Sequence, residues 1–327
     1  MPTKLKVGFS ENPRVDPLAQ GAIKIEGVEL EWERDHPGRL FHRQLTENRY
    51  DVFEFSIADY LITKHRPGWE HLGWIALPVF LSKPMGLLRR FMAHDSANIR
   101  SFADFRGKAV GVPDYFMTAA VWTRIMLRVL YGIKNTDMTW YNGRPAATRH
   151  GRVLDVDRDP TPGLKLTNLE REGELNELLQ RGQVQVAYGD EFTAPLREGP
   201  QVHLFSTDEV LRQALADLYK KEGVTPINHT LAMKRSFLDQ DPGLASRLCA
   251  AFEASKQEAY RRAYEQVEAY LLFPGEALAH QQQDFGQDLY PAGLAANRRG
   301  LELIGEQLHL DGVLDALPEI DRLWLQP

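Results

Sequence analysis

The hydrophobic period of this chain switches repeatedly between two residues and about 3.6, and that alternation restricts its fold more than any single motif. Lys4 to Phe9 alternates as a strand does, and Val28 to Trp32 repeats the pattern after a turn at Gly27. Leu40 to Leu45 reads as a short amphipathic helix. Tyr50 to Ser56 is a third strand, running into a helix through Tyr60, Leu61 and Ile62, and Trp74 to Phe80 a fourth. Strands that alternate with helices in this order imply a mainly parallel sheet with helices on its faces, an α/β protein.

A second unit of the same kind starts near His94. Ser101 and Asp104 are spaced to cap a short helix, and Arg106 to Val112 turns from it into a buried strand. Apolar residues at helical spacing follow through Leu130, then a strand over Thr136 to Trp140. Arg144 to Gly163, rich in Pro, Gly and charge, reads as a long loop or insertion. Glu174 to Gln180 is a helix and Val184 to Tyr188 the strand after it, and the unit closes around Gly223. Ile227 to Met233 reads as a strand returning to the first unit. Beyond Pro242 the pattern is helical, with long helices from Leu244 to about Leu271 and from Ala295 to Gln307. The two crossings, near 91 and near 227, predict a discontinuous first lobe (1–91 plus 228–327) around an inserted second lobe (92–227). A length of 327 residues suits two such units.

Composition removes several functions. Thirty-nine basic residues against 45 acidic ones, a net charge of −6 and no long cationic run argue against nucleic acid as a partner. No stretch approaches the ~20 apolar residues of a membrane span. The N-terminal residues pass straight into a strand without the apolar segment of a secretory signal, so a cytoplasmic location is expected. A homo-oligomer is compatible with the sequence. Cys249, the single cysteine, lies in an apolar helical pattern and reads as a buried thiol.

In an open parallel sheet, ligands collect where strand carboxyl ends meet helix N-termini. That rule selects Ser10, Glu11, Asn12 and Arg14 after the first strand, and Glu54 and Ser56 after the third. In the second lobe it selects Asp114, Tyr115, Met117 and Thr118, then Asp190 and Glu191. A helix beginning near Phe116 would offer free N–H groups to a carboxylate, with Thr118 either adding a donor or capping the helix. Arg14 is the candidate carboxylate clamp, because a guanidinium forks onto two oxygens. Glu54, among Phe53, Phe55 and Ile57, is either a general acid of raised pKa or half of a buried ion pair. His229 is either a proton donor facing the cleft or a structural residue at the hinge, and His42 is more ambiguous. The ten histidines form no metal-ligand spacing, so a divalent ion is open only through residues distant in sequence. Dinucleotide, nucleoside triphosphate and serine-hydrolase motifs are all missing, so those readings lose their usual support.

Across Arg106-Gly107-Lys108-Ala109-Val110-Gly111-Val112-Pro113-Asp114-Tyr115-Phe116-Met117-Thr118-Ala119-Ala120-Val121-Trp122 the sequence closely resembles the 4,5-dihydroxyphthalate decarboxylase family. Gly27 to Leu30, Phe41 to Leu45, Tyr50 to Ser56, Leu77 to Phe80, Pro226 to Thr230 and Tyr290 to Arg298 extend the likeness, in one order, through nearly the whole chain. The resemblance implies a two-lobed type II periplasmic-binding-protein fold with a ligand cleft between the lobes. It also implies non-oxidative loss of carbon dioxide from a hydroxylated aromatic carboxylate, without an organic cofactor. That chemistry needs an acid, a carboxylate holder and a base for the phenol. His229 is the expected acid, Glu54 its partner or the base, and Arg14 the holder, with Ser56, Lys83, Tyr115, Thr118, Asp190 and Glu191 completing the expected site. Where the resemblance leads one to expect an Arg-His pair, this chain has Lys83-Pro84-Met85-Gly86-Leu87, and Phe116 stands where a Gln is expected. Lys83, Arg89 or Arg90 would have to compensate. The alternative reading is a non-catalytic solute-binding protein for a small aromatic or carboxylated ligand.

Overall fold

A computed structural model describes residues 2–157, 162–190 and 194–326. Two sheets form the frame. The first has the order β2-β1-β3-β11-β4, from β1 (Thr3–Phe9), β2 (Val28–Arg34), β3 (Val52–Ser56), β4 (Trp74–Ser82) and β11 (His229–Lys234). The second has the order β10-β5-β9-β6-β7-β8, from β5 (Met92–His94), β6 (Ala109–Val112), β7 (Thr139–Asn142), β8 (Lys165–Asn168), β9 (Val186–Ala187) and β10 (Val202–Leu204). β1, β2 and β3 run parallel, and β11 slots antiparallel between β3 and β4. The chain therefore leaves the first sheet after β4, builds all of the second, and returns to the middle of the first.

That return places chemistry. His229 opens β11 in register with Ser56 at the end of β3 and Ser82 at the end of β4, so three strands deliver side chains to one edge. Ser10 follows the end of β1 at the same edge. In the second sheet β6, β7 and β9 run parallel, and their carboxyl ends lead to Asp114, Arg144 and Asp190. Both sheets thus expose the edge at which a parallel sheet presents loops and helix starts.

The main apolar core does not stop at the boundary between the sheets. One contiguous cluster joins Phe53, Phe55 and Phe80 to Val110, Trp122 and Trp140 and on to Leu301 and Ile304 of the helix Leu294–Leu310. The helix Thr118–Tyr131 is buried on nearly every face, consistent with apolar residues spread around its circumference. Its Arg124 is also buried, donating from Nε to Asp311 (2.8 Å) and from Nη1 to the Tyr115 carbonyl (2.7 Å). Gly8 is required by a close approach: a Cβ there would stand 2.5 Å from the Tyr50 ring.

Two expected elements change. The strand predicted over Thr136–Trp140 starts only at Thr139, because the Asp137 carboxylate takes the Lys134 backbone N–H (3.0 Å) and closes a short turn over Asn135–Asp137. The expected insertion from Arg144 is ordered over its described part by buried polar anchors. Asp114 accepts the His150 and Gly151 N–H groups (2.8 and 3.2 Å), and Arg149 reaches Asp157 (3.0 Å) and the Leu169 carbonyl (2.7 Å).

Candidate functional site

The two carboxyl edges face one cavity of about 260 Å³, walled by Ser10, Arg14, Phe41, Ser56 and Asp59, by Lys83, Gly86 and Leu87, and by Met117, Thr118, Arg144, His150, Asp190, Asn228 and His229. Benzene fits a cavity of about 150 Å³, so the space suits one substituted ring.

His229 is the best-defined group in it. Its Nδ1 lies 2.7 Å from Glu54 Oε1 and its Nε2 2.8 Å from the Asn228 side-chain amide, while the Phe41 ring packs edge-on at 4.8 Å. Glu54 Oε2 accepts the Ser10 N–H (3.0 Å). Burial alone would raise the Glu54 pKa, yet the His229 ring and the Ser10 donor outweigh it and hold the carboxyl below its ordinary range. Of the two readings of Glu54, the buried ion pair is the one the structure adopts. Alternation along β3 turns Glu54 behind His229 and leaves it outside the cavity wall, so a direct acid or phenol base is corrected to an orienting partner.

Basic side chains line the cavity at the ends of β1 and β4. Arg14 Nε donates to the Leu81 carbonyl (2.9 Å), its guanidinium lies 4.0 Å from the Tyr290 ring centre, and its terminal nitrogens have no partner among the described residues. Lys83 Nζ donates to Thr225 Oγ1 (2.6 Å) and stands 5.3 Å from the same ring. Burial and the neighbouring Arg14 charge lower the Lys83 pKa to about 7. Across the cavity, Arg144 is tied to Asp190 through Nε (3.0 Å), and His150 bridges Asp59 Oδ2 (2.8 Å) and the Gly38 carbonyl (2.9 Å). Burial drives the His36 pKa down to about 4, so its ring is neutral.

No family model matches the chain. Over 95% of its length it is 29% identical to 4,5-dihydroxyphthalate decarboxylase of Comamonas testosteroni, covering 92% of that protein. Over 66% of its length it is 29% identical to 4,5-dihydroxyphthalate decarboxylase of Pseudomonas putida, covering 81% of it. The chain is thus similar over most of its length to 4,5-dihydroxyphthalate decarboxylases. Its fold is periplasmic-binding-protein-like. The Escherichia coli aliphatic sulphonate binding protein SsuA superposes with a TM-score of 0.54 at 12% identity, covering 100% of this chain and 93% of that one. The alkanesulfonate-binding protein SsuA of Xanthomonas axonopodis pv. citri gives 0.53 at 9% identity, covering 100% and 99%.

The cavity gathers Arg14, Ser56, Lys83, Thr118, Asp190 and His229 of the residues expected from sequence. Tyr115 is corrected: it is buried outside the wall, packed on Arg124 (3.8 Å) and against Trp140, because the turn after β6 directs it into the core. Thr118 opens its helix without capping it, and its hydroxyl accepts the Ala58 N–H and pairs with Ser56 Oγ, both at 3.0 Å. Its expected service as a free donor to a carboxylate is therefore taken up by a contact between the two sheets' edges. Glu191 lies outside the described residues. Arg89, expected to compensate for the missing pair, points away to Asp208 (3.1 Å), whereas Gly86 and Leu87 line the cavity and make that wall apolar. Phe116 is buried beside Tyr115, off the wall. His42 faces His150 across 6.3 Å without reaching the cavity. Cys249 is half-buried, and burial raises its thiol pKa to about 12. Sequence reasoning missed Asp59, Arg144 and His150 as wall residues. Two of them sit in the stretch that reads as a loop, and nothing in their spacing marks them. Among the described residues no group of three His, Cys, Asp or Glu is placed to hold a metal ion.

Proposed function

We propose that the chain releases carbon dioxide from a hydroxylated aromatic carboxylate, using its own side chains and no organic cofactor. The observation that carries this reading is the buried His229–Glu54 pair at the wall of a ring-sized cavity, with Arg14 and Lys83 available to a carboxylate. The curated relatives, matched over most of the chain, are decarboxylases of such an acid.

The geometry supports the following course. Arg14 and Lys83 hold the carboxylate while a ring hydroxyl feeds electrons toward the carbon that bears it. His229, oriented by Glu54 through Nδ1, gives a proton from Nε2 to that carbon. Asn228 can turn its amide to accept from Nε2 as well as donate to it. The carbon–carbon bond then breaks, its electron pair restores the aromatic ring, carbon dioxide leaves, and solvent reprotonates His229. Gly86 and Leu87 leave room for an apolar edge of the ring where a second carboxylate would find no cation, which favours a hydroxybenzoate-like substrate over a phthalate.

Hydroxybenzoates and 4,5-dihydroxyphthalate are to be screened for carbon dioxide release beside thermal-shift binding. His229→Asn is expected to lose about 10²- to 10⁴-fold in kcat, the usual share of a general acid, while ligand binding persists. Wild-type protein that binds these acids yet never releases carbon dioxide overturns the reading in favour of a solute-binding role.

A further inference from the structure

We propose that Asp59 recognises a ring hydroxyl of the ligand. This rests on the reading of the cavity as a site for an aromatic carboxylate. Asp59 lies in the first turn of the helix Ile57–His65, fully buried and part of the cavity wall. One carboxylate oxygen, Oδ2, is 2.8 Å from His150 Nδ1, and the opposite nitrogen of that ring is 2.9 Å from the Gly38 carbonyl. The other oxygen, Oδ1, is buried with no hydrogen-bond partner among the described residues.

Buried polar atoms are nearly always paired, and the exceptions concentrate at functional positions. An ionised carboxylate oxygen only accepts, so its missing partner must donate. The nearby hydroxyls of Ser56 and Thr118 are already engaged with each other and with the Asp59 and Ala58 N–H groups. A ligand carboxylate is repelled by Asp59 and drawn to Arg14 and Lys83, whose charge no carboxylate among the described wall residues neutralises by direct contact; Arg144, by contrast, is bonded to Asp190. The cavity therefore has a direction: carboxylate toward Arg14 and Lys83, hydroxyl toward Asp59.

The same contact serves the reaction. As the ring carbon takes up its proton, the hydroxyl proton shifts to Asp59 Oδ1 and its electron pair stays on the ring oxygen. The proton returns when carbon dioxide leaves. No co-reactant is consumed. Asp59 thereby fills the role of phenol base from which Glu54 is turned away.

Calorimetry with benzoate and with 2-, 3- and 4-hydroxybenzoate tests the proposal on wild type, Asp59→Ala and Asp59→Asn. Wild type is expected to bind at least one hydroxybenzoate about 10- to 100-fold more tightly than benzoate, the usual worth of a hydrogen bond to a charged group. In Asp59→Ala that ratio falls below about 3-fold while benzoate itself binds as well or better. Asp59→Asn, which keeps an acceptor oxygen and the side-chain volume, gives an intermediate ratio and carries the test if the alanine variant does not fold. A wild type blind to the hydroxyl, or variants that keep its preference, overturns the proposal. Failure of every benzoate to bind removes the aromatic-carboxylate reading and this one with it. A hydroxyl preference that depends on Asp59 in a protein releasing no carbon dioxide supports the recognition role and sinks only the catalytic one.

Discussion

At the scale of single residues, the cavity is built from pairs in which one member faces the cavity and the other holds it. Arg14 is positioned by the Leu81 carbonyl and the Tyr290 ring, leaving its terminal nitrogens to an anion. Arg43 is occupied by Glu33 and Asp35 at 3.0 and 2.8 Å, away from the cavity. Arg14→Ala is therefore expected to weaken hydroxybenzoate binding by about 2 to 5 kcal/mol, and Arg43→Ala to leave it within about 0.5 kcal/mol. Equal affinities of the two variants by calorimetry contradict the clamp. Glu54 makes a pH prediction. Its folded-state pKa is depressed, so between that value and the unfolded one the unfolded chain binds more protons and stability rises with pH. The contribution is complete above the ordinary carboxylate pKa and lost as pH falls through the folded value. Glu54→Gln should flatten the acid side of the melting-temperature profile and lower stability near neutrality, since it leaves His229 buried without its charge partner. An unchanged acid limb counts against the ion pair.

Elements are locked together mainly by helices that belong to different parts of the chain. The helix Thr118–Tyr131 leaves the second sheet and packs on Leu294–Leu310 from the C-terminal region, with Gly300 close beneath the Ile227 side chain and Trp122 Nε1 donating to the Ile227 carbonyl (2.6 Å). At its centre Arg124 and Asp311 form an ion pair at 2.8 Å with both side chains essentially inaccessible. Gln307 and Asn135 also donate to Asp311, each at 2.9 Å. Removing one charge strands the other, so Asp311→Leu alone should destabilise by about 3 to 5 kcal/mol, and the double change Arg124→Met with Asp311→Leu should recover much of that loss. Denaturant titrations of the single and double variants give the coupling directly.

For the whole molecule, a shared core opposes the independence that two sheets would otherwise have. Because the largest apolar cluster runs through both sheets and the C-terminal helices, thermal unfolding is expected as a single calorimetric transition. Two resolved peaks would show the sheets melting separately. Both sheets wall the cavity, so a bound hydroxybenzoate at about 100 times its Kd should raise the stability of the whole by about 2.7 kcal/mol and leave the transition single. We propose that residues 1–91 with 228–327 close as one lobe on 92–227 when ligand binds. Small-angle scattering with and without hydroxybenzoate measures it, and an unchanged radius of gyration refutes it.

The α/β class, most strand positions and the return of the chain near 227 were legible because strand and helix periods and Gly, Pro and Asp turn chemistry are local properties. The rule that ligands gather at strand carboxyl ends then sufficed to find Arg14, Ser56 and Asp190, each of which ends or follows a strand, while His229 was marked by the returning strand that it opens. The pairing of His229 with Glu54 joins residues 175 apart, and that of Asp59 with His150 joins residues 91 apart. Which charge meets which depends on how β11 inserts and how the segment after β7 folds back over Asp114. Tyr115 and Thr118 show the same limit, since strand ends locate a turn but not the direction of each side chain within it. Local sequence determined where chemistry collects; the tertiary structure alone decided which groups face the cavity and which of them stay unpaired, because burial and electrostatic partnership arise only when distant segments pack.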